Sequence, residues 1–378
     1  MPRTAHPLSV LPFPAWGLGA ARPLHIAGPC SAESQEQLLA AARPLAAQGH
    51  AHVFRAGIWK PRTRPGGFEG AGAQALGWLR RVREETGLPV MTEVATAAHV
   101  EACLRAGIDM LWVGARTTPN PFSVQEIADA LRGVDIPVFV KNPVNPDLHL
   151  WLGALERLAQ AGIGRLAAVH RGFSWFERTH LRNAPMWEFP IRLMAAHPEL
   201  LMVCDPSHIA GDPAHLRAIA QRAMELGMGG LMVEVHADPA HAWSDARQQI
   251  TPAEHDALVR AITFRSAHPP PALDARLADL RGEIDRIDER IARELGARMA
   301  VAARIGAHKR AHQVAIIQPE RWEAILERLL AMAPALGLGE RFVREFMDSV
   351  HRESIRQQTT GGAEGSPASD QNGRLPDR

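Results

Sequence analysis

Lysine is scarce in this chain. Of 42 basic residues, only Lys60, Lys141 and Lys309 are lysine, and the rest are arginine. An ammonium is a compact point charge, and arginine's planar fork does not replace it against a reacting oxygen. Codon preference is the plainer explanation of the scarcity, so the neighbours must decide. The lysines stand in the runs Trp-Lys-Pro-Arg-Thr, Val-Lys-Asn-Pro and His-Lys-Arg. Other chemically capable groups surround the first two. Cys30, His208, Glu234 and Asp245 offer sulfur, nitrogen and carboxylate oxygen, a donor mix suited to one first-row divalent ion such as Mn, Fe, Co or Zn. Arg55, Lys60, Arg62, Arg116, Lys141 and Arg171 supply positive charge. That many cations near one metal imply substrates with several negative charges, most simply phosphates and a carboxylate. Any one of these arginines alone reads as a solvated loop cation; the set carries the argument. Cys103 and Cys204 lack such neighbours and are expected to be core thiols.

The elements that must position these groups follow from periodicity. Eight short apolar or β-branched runs are expected to be strands: Leu24–Cys30, His52–Gly57, Pro89–Val94, Met110–Arg116, Pro137–Asn142, Leu166–Gly172, Leu200–Ser207 and Gly230–His236. Stretches at helical spacing separate them, among them Ser34–Gln48, Ala97–Ala106, Ser123–Arg132, Asp147–Ala161, Pro213–Leu226 and Pro252–Arg265. Eight evenly spaced strand–helix units predict an α/β fold, a (β/α)8 TIM barrel; an open doubly wound sheet is the alternative. In such a barrel the chemistry sits at the carboxyl ends of the strands. The candidate groups fall there, strand by strand: Cys30, Arg55, Glu93, Arg116, Lys141, His170-Arg171, Asp205 to His208, and Glu234.

The pattern changes after His268-Pro269-Pro270-Pro271, which reads as a stiff linker. The expected organisation is an N-terminal segment over 1–23, the barrel over 24–267, a Pro-rich linker over 268–272, an all-α three-helix domain over 273–358, and a disordered tail over 359–378, rich in Gly, Ser, Pro and Asp. Leu273, Leu277, Leu280, Ile284, Ile287, Ile291 and Leu295 step by 4 and 3, a heptad-like seam on a helix of about 39 residues and about 58 Å. A compact single domain cannot cover so long a face, so a partner chain is expected against it. Two further helices are expected over 319–333 and 339–358. The seam continues onto Arg298, Ala302, Ile305 and Lys309, and the third helix runs from Val343, Met347 and Val350 onto Ser354 and Gln358. Burying unpaired charge is costly. Cations on an inward line therefore predict a polar cavity between helices, suited to a dianionic ligand and to a reaction that needs positioning without proton transfer.

Composition narrows the functional classes. A formal net charge of +1 gives no general attraction to nucleic acid or to a membrane surface. No apolar run reaches the ~18–20 residues of a membrane span. The apolar stretch Val10–Ala21 is broken by Pro12 and Pro14 and does not read as a signal peptide. Three cysteines without an export signal suggest reduced thiols in the cytoplasm. Neither a Walker A loop nor a dinucleotide fingerprint is present.

Several runs resemble one enzyme family. Ala27-Gly28-Pro29-Cys30-Ser31, Arg55 through Lys60-Pro61-Arg62-Thr63, Gly114-Ala115-Arg116, Val140-Lys141-Asn142, Asp205-Pro206-Ser207-His208, Val233-Glu234-Val235-His236 and Ser244-Asp245 resemble 3-deoxy-D-arabino-heptulosonate-7-phosphate (DAHP) synthase, in its shorter bacterial form, over residues 20–265. The related octulosonate 8-phosphate synthase is the competing reading; the Lys60-Pro61-Arg62-Thr63 run has the DAHP synthase form. The resemblance implies that Arg55, Lys60, Arg116, Lys141 and Arg171 hold phosphoenolpyruvate. It implies Arg62 and Thr63 for the phosphate of erythrose 4-phosphate, and Cys30, His208, Glu234 and Asp245 for the metal. The helical region resembles the all-α chorismate mutases at Arg281, Arg298, Lys309, Arg321, Ser354 and Gln358. That likeness implies chorismate as substrate, prephenate as product, and a homodimer, or a homotetramer built from it, in which Arg281 reaches the partner's site. Gln318 and Trp322 depart from that family, which commonly has acidic residues there. The departures leave open a second role: a regulatory module that binds prephenate or chorismate and restrains the barrel.

Overall fold

A computed structural model describes residues 8–18, 23–60, 67–176, 179–264 and 271–360. Two compact units are present, Met1–Ala267 and His268–Arg378. In the first, eight strands close into a parallel barrel in sequence order: β1 Leu24–Gly28, β2 Val53–Arg55, β3 Val90–Val94, β4 Met110–Val113, β5 Val138–Lys141, β6 Leu166–His170, β7 Leu201–Cys204 and β8 Gly230–Glu234. Closure runs from Leu24↔Gly230 to Gly28↔Glu234, which places the end of β1 beside the end of β8. Every strand is shorter at its start, its end or both than its apolar run. Several, such as β4 and β7, lose the ladder just before the rim residue, so Arg116 and Asp205 stand on loops.

The helices of this unit are α1 Gln35–Gln48, α2 Ala75–Thr86, α3 Ala97–Ala106, α4 Pro121–Ala130, α5 Leu148–Gln160, α6 Glu188–Ala196, the short α7 Pro206–Ala210, α8 Pro213–Glu225 and α9 Pro252–Ala261. Their starts are written locally. Ser34, Thr96, Asn120, Asp147 and Asp212 each accept a backbone N–H at a helix start, and Thr251 with Glu254 forms a capping box. Such oxygens satisfy donors that have no partner within the helix. The described part of the N-terminal segment reaches the core. A 3₁₀ turn over Phe13–Trp16 buries both aromatic rings in the cluster that holds Leu24, Ile26, Met110 and Phe139. Trp16 meets Phe139 edge-on at 5.8 Å. Cys103 and Cys204 are buried, and all three cysteines are free.

The second unit is helical: α10 Pro271–Ala311, α11 Pro319–Met332 and α12 Glu340–Thr360. Pro271 and Ala272, expected in the linker, begin the long helix; proline's fixed φ suits a first turn, where its missing N–H costs nothing. The remaining linker residues lie outside the described ones. At the other end the helix continues through Thr359 and Thr360; the rest of the tail, 361–378, is likewise outside. Val343, Met347 and Val350 pack with Leu295, Met299 and Leu329. The first half of the α10 seam has no such cover among the described residues: Leu280, Ile284, Ile287 and Ile291 are 44–55% exposed. No described helix is long and apolar enough to cross a membrane.

On the barrel face opposite the strands' carboxyl ends, four histidines gather. His25 of β1 is 5.7 Å from His52, and His50 pairs with Asp256 at 3.0 Å. His255 of α9 is fully buried, with neither ring nitrogen hydrogen-bonded. Burial first, and then the neighbouring His50, push His255 down to about 4; burial and then His255 push His25 to about 3. Both are neutral when folded, whereas the unfolded chain takes up protons below about pH 6.5, so stability falls as pH drops from there toward about 4. For His255 the loss is about 2 kcal/mol at about pH 5. We therefore expect His255→Leu to lose less melting temperature than the native chain between about pH 7 and about pH 5; equal slopes in a pH series of thermal melts would refute this.

Candidate active site

At the carboxyl ends of the strands, β1 and β8 bring two metal-type donors together. Cys30 follows β1, and Glu234 ends β8. Asp245 comes from the loop beyond and holds a left-handed backbone at φ 47°, a conformation rare for residues with a side chain. The donor atoms of Cys30, Glu234 and Asp245 lie within 4.8 Å of one another, with Cys30 Sγ 3.5 Å from Asp245 Oδ2. His208, in the single turn α7, is not part of that group of three. Its Nε2 lies 3.7 Å from Glu234 Oε1. The set suits a divalent cation. Glu234 is fully buried, yet its Oε1 has no hydrogen-bond donor. Burial, and next the Glu234 carboxylate, push the Cys30 thiol up to about 12, so a strong local positive charge is needed to make it a thiolate.

Cations line the same space. Arg55, Lys60, Arg116, Lys141 and Arg171 share a cavity of about 220 Å³ with Cys30, His208 and Asp245. Arg55 is fully buried; its Nη2 is 3.3 Å from Glu234, and its Nε and Nη1 have no hydrogen-bond acceptor. Lys60 Nζ donates to Cys30 Sγ at 3.3 Å. Trp112 is a platform below them, 4.7 Å from the Arg55 guanidinium and 5.7 Å from Lys141 Nζ, which favours cations over the ring face. Burial pulls Arg171 down to about 10, still charged at neutral pH. Arg62 and Thr63 lie outside the described residues.

The structure gives contacts to groups for which sequence reasoning named no role, Asp205 at the end of the seventh strand among them. Asp205 is fully buried, and its Oδ2 lies 2.8 Å from both Lys141 Nζ and His208 Nδ1. Its Oδ1 accepts the His208 backbone N–H at 3.1 Å, which starts α7. Burial opposes its charge, but His208, Lys141 and Arg55 hold the carboxyl well below the usual range. Its place before Ser207-His208 was the available signal. Asn183 accepts from Arg171 Nη1 at 2.9 Å, and Arg182 and Gln248 touch the carboxylates. These three gave no signal, because only the folded loops bring them to the rim.

In the helical unit, Arg298, Lys309, Arg321, Ser354 and Gln358 line one cavity of about 720 Å³. Arg298 donates to the Ser354 hydroxyl, and Lys309 Nζ donates to the Ile316 carbonyl at 2.7 Å. Gln358 Oε1 is buried without a donor. A side chain at Gly306 would place its Cβ 2.5 Å from Gln358 Cα, so the close crossing of α10 and α12 needs glycine there. Arg281 is exposed and does not line this cavity. Trp322, one of the two departures noted in the sequence, stacks on His351 at 4.1 Å.

Comparison with known proteins separates the same two regions. The DAHP synthetase I family model matches residues 17–263, and the chorismate mutase type II model matches 280–359. Phospho-2-dehydro-3-deoxyheptonate aldolase of Thermotoga maritima is 31% identical over 225 residues, 60% of this chain and 64% of that protein. The chain thus spans just under two thirds of that relative. A 2-dehydro-3-deoxyphosphooctonate aldolase of Nitratidesulfovibrio vulgaris is 28% identical, over 60% of this chain and 85% of its own length. The crystal structure of the Thermotoga maritima DAHP synthase superposes with a TM-score of 0.58 at 27% identity, covering 65% of this chain and 70% of that one. Because the first match takes in the whole closed barrel and its charged rim, the chain belongs to the DAHP synthetase I family, with a type II chorismate mutase domain following the barrel.

Proposed function

We propose that the barrel condenses phosphoenolpyruvate with erythrose 4-phosphate to give DAHP and inorganic phosphate. The observation that carries this reading is the convergence of Arg55, Lys60, Arg116, Lys141 and Arg171 on one cavity beside Cys30, His208, Glu234 and Asp245. Those four residues would hold a divalent ion, which would supply Lewis-acid polarisation of an aldehyde oxygen. The cations bind and orient phosphoenolpyruvate, whose phosphate and carboxylate match guanidinium and ammonium donors. Its enol carbon attacks the aldehyde carbon, water adds at the cationic centre left behind, and phosphate departs. Lys60, next to Cys30, stands between the two substrates, where a movable ammonium reaches both. The Lys60-Pro61-Arg62-Thr63 run favours erythrose 4-phosphate over arabinose 5-phosphate, the aldose of the octulosonate enzymes.

For the helical unit we propose conversion of chorismate to prephenate. This rearrangement needs the substrate folded and its developing negative charge stabilised, without a proton donor. Arg298, Arg321 and Ser354 would orient chorismate, and Lys309 and Gln358 would face the ether oxygen. Arg281 would reach the cavity of a second copy, and the exposed seam on α10 supports a homodimer or a tetramer built from it. Gln318 and Trp322, which line the cavity where the family commonly has acidic residues, support a second role, in which bound prephenate or chorismate restrains the barrel. The free cysteines support work in the reducing cytoplasm.

Three outcomes follow. Purified protein should form product from phosphoenolpyruvate with erythrose 4-phosphate, lose it to a chelator, and regain it with Mn, Fe, Co or Zn; preference for arabinose 5-phosphate, or full turnover in chelator, would overturn the reading. Asp205→Asn should weaken divalent metal binding about 10- to 100-fold, as loss of a carboxylate behind a ligating histidine does, and should raise the KM for phosphoenolpyruvate through Lys141. Native metal affinity and KM would leave Asp205 a mere helix cap. Arg298→Ala should lower kcat/KM for chorismate about 100- to 1000-fold while synthase turnover persists, and a native mutase rate would remove the cavity's assignment.

A further inference from the structure

Gln248 holds one oxygen of Glu234 and Arg182 one oxygen of Asp245, and the two holders hold each other. Glu234 Oε2 accepts from Gln248 Nε2 at 2.6 Å, which leaves Oε1, 3.3 Å from Arg55 Nη2 but without a hydrogen-bond donor, toward the donor cluster. Asp245 Oδ1 pairs with Arg182 Nη1 at 3.1 Å, which leaves Oδ2 facing Cys30 Sγ at 3.5 Å. Gln248 Nε2 also lies 3.5 Å from Asp245 Oδ2. The amide's orientation is not free. Arg182 Nη1 donates to Gln248 as well, at its Oε1, and a guanidinium has no acceptor to offer. Arg182 therefore fixes the carbonyl end of Gln248 toward itself and the NH₂ end toward the carboxylates. A flipped amide would set an oxygen against Glu234 and break both contacts at once.

The backbone cooperates. Gln248 ends the 3₁₀ turn Ala246–Gln248 that opens at Asp245, and its N–H donates to the Asp245 carbonyl at 3.1 Å. The left-handed Asp245 thus turns the chain so that the carboxylate and the amide three residues later face the same cluster. Gln248 is 1% exposed, so its contacts have little competition from water. It carries no charge of its own, whereas a glutamate there would set a third carboxylate against two.

We propose that Gln248 and Arg182 are positioning residues for the metal centre: together they select which carboxylate oxygen of Glu234 and of Asp245 is presented to the ion, and so set its affinity and its ligand geometry. The inference rests on the metal-dependent reading above and adds to it two residues outside the ligand set. Groups that orient ligating side chains typically change metal affinity about 10- to 100-fold when removed.

The test is a Co²⁺ titration of the metal-stripped full-length protein, followed by calorimetry and by the visible spectrum of the bound cobalt, whose thiolate and ligand-field bands report the donor set. Gln248→Leu and Arg182→Met should each bind Co²⁺ at least about 10-fold more weakly and shift those bands, with melting in chelator unchanged. Arg182 is 41% exposed at its side chain, so its replacement keeps the test open even if Gln248→Leu fails to fold. Affinity within about twofold of the native protein and an unaltered spectrum in the folded variants would overturn the proposal. A native protein that takes up no Co²⁺ would instead overturn the metal-dependent reading itself, which keeps the two failures distinct.

Discussion

The barrel mouth must hold cations and anions together where little water reaches. Burying a charge is tolerable only when it is paired and hydrogen-bonded. Asp205 is the clearest solution: one buried oxygen lies 2.8 Å from both Lys141 and His208. Around it the same logic repeats, with Arg55 against Glu234, Arg182 against Asp245, and Lys60 against Cys30. Each pairing joins a group suited to a metal with a group that lines the anion cavity. The two binding functions are therefore one electrostatic network. A change at either end alters the charge felt at the other.

That network explains why this architecture suits the chemistry. Parallel strands that close in sequence order bring the ends of β1 and β8 side by side, so Cys30 and Glu234 meet although about 200 residues separate them. Lys141 ends β5 and Asp205 directly follows β7, so the two side chains meet at the barrel mouth. The aromatic floor of Trp112 spaces Arg55 and Lys141 without adding charge. Beneath it, Phe13 and Trp16 join the apolar cluster to which Trp112 itself belongs, so the charged layer rests on apolar packing.

Much of this was legible from residue types and spacing. The eight strands announced themselves as apolar runs, and the rim cations followed because strand ends are where a barrel displays its side chains. The long helix was legible from its seam of Leu and Ile. Less visible were features that depend on contacts between distant loops. Arg182 and Gln248 look like ordinary polar loop residues until folding sets them beside Asp245 and Glu234. The N-terminal aromatics gave no period to read, so their burial was not foreseen. Pro271 read as a breaker because three prolines run together, yet the last of them fits the first turn of a helix. At Thr359 and Thr360 composition suggested a tail, but the helix runs on, with the Thr359 hydroxyl bonded back to the Ile355 carbonyl.

The scarcity of lysine can now be weighed against local geometry. Lys60 donates to Cys30 Sγ at 3.3 Å, Lys141 to Asp205 at 2.8 Å, and Lys309 to the Ile316 carbonyl at 2.7 Å. All three line a cavity. Space supports the choice most directly at Lys60. A Cβ on Gly57 would lie 2.6 Å from both Cε and Nζ of Lys60, so this chain bends across a residue that has no side chain to give way. A guanidinium is broader and planar, and would have to pass the same gap. Lys141 is gripped differently, by a single carboxylate oxygen shared with His208, which one ammonium can approach without the second donor that a fork carries. Codon preference would account for arginine at the other basic positions. It does not explain why the exceptions sit where a point charge fits a confined acceptor.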